Sequence, residues 1–156
     1  MIEFDPPLGE LVAPNISDTM SIAIRQALDD LEKAEACDNL RVNMEYWHSM
    51  RMENGPCYVC LAGSVISAAG NDARRIINPY DFFEDDNEIT FRKLLAFDFL
   101  RKGDYEKAMF SFGIPTPKIN EVLEGFPLEL SSYHINPVQF KNDLRTFADH
   151  LERHGL

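Results

Sequence analysis

The sequence predicts an all-α or strongly α-dominated α+β domain, built around one buried helix near the middle of the chain. Three observations carry that expectation. From Asn54 to Asn71 the chain reads NGPCYVCLAGSVISAAGN, with no charged residue, in a chain that is 26% charged. Apolar stripes at helical spacing lie on both sides of that stretch. Asn, Asp, Thr and Pro stand where those stripes begin, and Gly stands where they end.

Taken in order, residues 1–14 hold three prolines and no base and predict an extended lead-in. Asn15 is a good N-cap, with Asp18 three residues later. Met20, Ile24, Ala27, Leu28 and Leu31 then share one helical face, while Arg25, Asp29, Asp30, Glu32 and Lys33 take the other, so a helix is expected to run to about Asp38 and Asn39. Leu40, Val42, Met44 and Tyr46 alternate with polar residues, which predicts at most a small strand or hairpin near 40–46. In the uncharged stretch, the turn signal Asn54-Gly55-Pro56 and the stop Gly70-Asn71 bracket a helix over residues 56–69. It is apolar on every face, so it is expected to be buried on every face.

Further helices follow. Asp86 or Asn87 caps one carrying Leu94, Leu95, Phe97, Phe99 and Leu100, stopped at Lys102-Gly103. Asp104 caps a short one with Tyr105, Ala108, Met109 and Phe112, closed by Gly113. Thr116-Pro117 opens another, which stops at Gly125, and Asn136-Pro137 opens the last. That last helix shows Phe140, Leu144, Phe147, Ala148 and Leu151 in one stripe and ends at His154-Gly155. The expected total is about seven helices with short connections in a single domain spanning residues 1–156.

Composition bounds the function. With 26 acids against 15 bases the net charge is −11. Direct nucleic-acid binding is disfavoured, because its affinity comes from Lys and Arg meeting phosphates. Docking on anionic membranes is disfavoured for the same reason. The N-terminus shows no basic segment followed by an apolar run, so no signal peptide is expected. Three cysteines, an odd number, point to thiols in a reducing compartment.

Cys57-x-x-Cys60 is the motif with known redox chemistry. At a helix N-terminus the dipole stabilises a thiolate, and two such cysteines cycle between dithiol and disulfide. A thioredoxin-like arrangement also needs a proline facing the pair. Pro115 fits that only superficially, because Thr116-Pro117 opens a helix rather than a strand. Cys37, His48, Cys57 and Cys60 together form a zinc alternative, but their spacing, C-x10-H-x8-C-x2-C, matches no common finger. A cysteine nucleophile would need His48 or His134 as its base. The simplest expectation is structural thiols packed in a core, no catalytic residue and no cofactor. The chain has no phosphate-cradling glycine loop and no HExxH or GxSxG motif.

Asp81, Glu84, Asp85, Asp86 and Glu88 crowd the stretch before a helix, and no base lies between Arg75 and Arg92. Acids there offset the helix dipole. The same five residues are the candidate contact surface for a basic partner, with Phe82 and Phe83 as candidate anchors.

Tyr46-Trp47-His48, followed by Cys57-Tyr58-Val59-Cys60-Leu61-Ala62-Gly63-Ser64-Val65, resembles a pattern in short accessory proteins of tailed bacteriophages, over about residues 44–70. That resemblance implies a bacterial host cytoplasm and a role in binding host machinery or antiviral-defence complexes. Taken together, the expectation is a non-enzymatic acidic protein that binds or inhibits a basic, nucleic-acid-binding host or defence protein. The alternatives are a thiol-dependent or zinc-binding protein using Cys57 and Cys60, and a self-associating phage structural or assembly component.

Overall fold

The first stripe folds as α1, Met20–Glu35, and buries every residue of the expected face. It starts later than the Asn15 signal implied. The reason is tertiary. Ile16 is buried in the core, and the Lys93 ammonium donates to the Ile16 carbonyl at 2.8 Å and to Asp18 at 2.7 Å. Residues 15–18 thereby stay outside the helix, and Thr19 becomes the N-cap.

The computed structural model describes residues 11–45, 48–51, 57–71, 77, 79–82, 88–127 and 129–156, with 48–51 and 79–80 described as backbone. Among these residues there are six α-helices, one 3-10 turn and three short strands. The domain is helix-dominated, as the patterning predicts, with one helix fewer than expected and a larger sheet. The strands are β1, Leu40–Val42, β2, His48–Arg51, and β3, Cys57–Val59. They form one mixed sheet with β3 in the middle. β1 runs parallel to β3, with Leu40 opposite Cys57 and Val42 opposite Val59, and β2 runs antiparallel to it.

The uncharged stretch therefore divides into two elements. Cys57 and Val59 point inward around a half-buried Tyr58, which is strand periodicity. The helix that follows, α2, spans Leu61–Ala68 rather than 56–69. It is central nonetheless: Leu61 through Ile66 are all buried, and it packs against α1, β2, β3 and the helix α3, Glu88–Arg101. Gly70, at φ 101°, turns the chain out of α2. Asn71, buried beyond it, donates to the Ile66 carbonyl at 2.9 Å and exchanges two 2.8 Å hydrogen bonds with the backbone of Val12. One side chain thus closes α2 and pins part of the extended lead-in; residues 1–10 of that lead-in lie outside the described residues.

A 3-10 turn, Pro79–Phe82, precedes α3. Then come α4, Tyr105–Ser111, α5, Thr116–Leu123, and α6, Pro137–Arg153. Asp104 and Asn136 cap α4 and α6 by accepting from Lys107 N and Gln139 N, as their positions in the sequence suggest. At α5 the cap is Pro115, one residue earlier than expected, and Thr116 is helical. The expected cap of α3, Asp86 or Asn87, lies outside the described residues.

α6 runs antiparallel along α1. Ser21 donates to Leu156, Arg25 pairs with Asp149 and Glu152, Glu32 with Arg145, and Glu35 with Lys141. Beneath these exposed pairs, Leu28 and Leu31 of α1 and Phe140, Leu144 and Phe147 of α6 are all buried in the core. The burial, not the surface ion pairs, supplies most of the stability.

Candidate functional site

The cysteine motif spans the junction from β3 to α2. Cys60 is the N-cap of α2 and its Sγ accepts from Gly63 N at 3.5 Å, the helix-terminus geometry that the redox reading requires. The electrostatics run the other way. Cys60 has no exposed surface, and burial pushes its thiol up to about 11, outweighing the Gly63 hydrogen bond and the Arg101 charge that act against it. Desolvation overrides the dipole at this site. Cys57 is also buried, and Cys37 is half-buried beyond the end of α1. The sheet places His48 opposite Val59, one strand from Cys57, while its side chain lies outside the described residues. No group of three His, Cys, Asp or Glu side chains among the described residues is arranged to hold a metal ion.

The acidic cluster is partly described. Asp81 is exposed on the 3-10 turn; Glu88 is exposed in the first turn of α3 and pairs with Arg92 at 3.3 Å. Glu84, Asp85 and Asp86 lie outside the described residues. Phe82 is no surface anchor: it is fully buried, part of the core beneath α3. Phe83 also lies outside the described residues.

Large exposed apolar residues stand elsewhere, and the sequence reading missed them. Ile89 is 64% exposed and Phe110 69% exposed. The geometry follows from helix faces. α3 turns Leu94, Phe97 and Leu100 inward, and α4 turns Tyr105, Ala108 and Met109 inward, so Phe110 is left on the outside. Gly113, at φ 96°, then folds the chain back so that Ile114 and Pro115 face the same space. The result is a shallow groove of about 490 Å3 lined by Phe91, Leu95, Phe110, Ile114, Pro115 and the stem of Arg92. Ile89 stands one helical turn before Arg92. Two nearby cations have acidic partners on their own helices or caps, Arg92 with Glu88 and Lys107 with Asp104 at 3.8 Å. Glu106, one turn before Phe110, has no ion-pair partner among the described residues. The lining is therefore mainly apolar, and its one charged residue, Arg92, is paired with Glu88.

Two histidines at the end of α6, His150 and the C-cap His154, also went unremarked as a pair. Their rings meet at 4.8 Å, and His154 Nδ1 lies 4.0 Å from Glu121 of α5. His150 Nε2 donates to the Val122 carbonyl at 2.6 Å and its ring stacks on Phe126, which closes the end of α5.

No helix among the described residues is long and apolar enough to cross a membrane. Comparison with models of protein families, with curated proteins and with solved structures returned no match.

Proposed function

We propose that the protein is a non-enzymatic interaction protein and that the groove between α3, α4 and α5 receives a segment of a partner that is both apolar and basic. The observation that carries this reading is Phe110, 69% exposed at an apolar groove, with Ile89, 64% exposed, on the helix that forms one of its walls. Large apolar side chains standing that far into water at a concave site mark contact surfaces. Charge selects the basic partner. The chain is at −11, and Asp81, Glu84, Asp85, Asp86 and Glu88 precede or open the helix that forms one wall. Such a field speeds encounter with a cationic surface, and salt weakens it. Added to the tailed-phage resemblance, this makes a nucleic-acid-binding host or defence protein the natural occupant.

The test is comparative capture of partners from bacterial lysate at low and high salt. Phe110→Ser removes an anchor and is expected to weaken binding of a specific partner by about 2 kcal/mol or more. Reversing Glu84, Asp85 and Asp86 to Lys is expected to slow association and flatten its salt dependence. Ile135→Ser, which removes another exposed residue away from the groove, serves as the control. Equal capture by Phe110→Ser and Ile135→Ser would sink the groove as the docking site. Self-association lost on Phe110→Ser would replace the foreign partner by a second copy of the chain.

A further inference from the structure

α3 ends on a second concavity, at the opposite end of the helix from the apolar groove and of opposite character. Its volume is about 410 Å3, and it is lined by Arg101, Lys102, Ser131, Ser132, His134 and Met44 together with neighbouring backbone. No lining residue is an acid, in a chain with 26 acids and 15 bases. Both cations lean on a single carboxylate. Asp98 accepts from Arg101 Nε, and its other oxygen lies 3.4 Å from Lys102 Nζ, so the trio carries a net single positive charge.

The donors are held in place. Arg101 spends one N–H on Asp98 and one on the Met44 carbonyl, and a guanidinium has five. Its side chain is 14% exposed, so packing restricts the remaining donors. His134 Nε2 accepts from the Met44 amide at 3.2 Å, which leaves the proton of the neutral ring on Nδ1 as a further donor. Met44 is therefore held from both sides, its amide by His134 and its carbonyl by Arg101. Ser132 adds a hydroxyl, whereas that of Ser131 is engaged by Asp143. Two further carboxylates bond to lining residues, each with its own hydrogen-bond partners. Asp143 accepts from Ser131 N and Gln139 Nε2, and Glu35 accepts from Tyr133 Oη and Lys141 Nζ. The carbonyl end of α3 would repel an anion, but the amides of Lys102, Gly103 and Asp104 cap Phe99 and Leu100 at 3.0–3.1 Å. Gly103, at φ 77°, makes that turn possible and sits against Leu130.

We infer that this pocket binds a small oxyanion, the phosphate or carboxylate group of a metabolite-sized ligand. The donors left on the Arg101 guanidinium suit the oxygens of such a group, Lys102 neutralises it, and the Ser132 hydroxyl is a further donor. The inference is independent of the proposed protein partner.

The experiment follows amide resonances of the full chain while inorganic phosphate, acetate or chloride is added at matched ionic strength. Saturable shifts are expected at Lys102, Gly103, Ser132 and His134, with a Kd in about the millimolar range. Tighter binding of phosphate than acetate assigns a phosphate ester, and the reverse assigns a carboxylate. Lys102 is half-exposed, so Lys102→Ala is expected to stay folded and to bind roughly tenfold more weakly, as for a hydrogen bond to a charged group. Phe110→Ser is expected to bind the anion unchanged. Non-saturating shifts equal to those of chloride, or unchanged affinity in folded Lys102→Ala, would overturn the assignment.

Discussion

Replacing Asp98 with Ala tests whether the end of α3 is held by charge. Asp98 is 8% exposed and lies between Arg101 and Lys102. Arg101 in turn donates to the Met44 carbonyl, a residue 57 positions earlier, and so anchors the chain beyond β1 against α3. Removing the carboxylate leaves the Arg101 guanidinium mostly buried without its counter-charge. Breaking one side of a fully buried pair costs about 3–5 kcal/mol. Water reaches the edge of this one, so about 2–4 kcal/mol is expected here. For a chain of this size that lowers Tm by about 5–15 °C. The double variant Asp98→Leu, Arg101→Met removes both charges and refills the space. It is expected to lie within about 1 kcal/mol of the parent and to be more stable than the single variant. Urea denaturation followed by circular dichroism measures the parent, Asp98→Ala, the double variant and its two single components, Asp98→Leu and Arg101→Met, with the slope checked for constancy. If Asp98→Ala costs less than about 0.5 kcal/mol, or the two substitutions simply add, the pair is not the clamp described above.

The thiols give a second prediction: in the native protein Cys37 reacts with a thiol reagent, while Cys57 and Cys60 react only on unfolding. Because burial raises the Cys60 thiol from 9.0 to about 11 in the folded state, the unfolded chain releases that proton first. Its share of stability is therefore expected to fall by about 2–3 kcal/mol as pH rises from about 9 to 11, and Cys60→Ser should lessen the slope, leaving the part due to the Tyr105 and Tyr133 phenols, which burial also raises. Stability that rises with pH across this window would refute the assignment. Ala62→Glu should unfold the protein, because Ala62 has no exposed surface within α2 and an unpaired buried charge costs several kcal/mol. Ala68→Glu, on the exposed end of the same helix, should be tolerated, and equal melting temperatures for the two variants would disprove the central position of α2.

The stripes of α1 and α6 were legible because each is amphipathic. One face must leave water and the other must not, so the period of the sequence is the period of the helix. Caps at Asp104 and Asn136 and the glycine stops were legible because their chemistry is local. The uncharged stretch was not, for the opposite reason. When every face is buried, sequence carries no period, and β3 cannot be told from the first turn of a helix until β1, paired parallel at Leu40 and Cys57, is seen beside it. The same distinction governs the sites. Composition determined that the chain is acidic and that its cysteines are few. Packing decided that Phe82 is core and Phe110 is surface, although both are phenylalanines beside helical apolar residues. It also decided that Cys60, at a helix N-terminus, has its thiol raised rather than lowered. The clamp of Arg101 and His134 on Met44 joins residues 57 and 90 positions apart. A local pattern tells which residues seek burial or a partner; only the folded chain, closing those long separations, determines which of them find one.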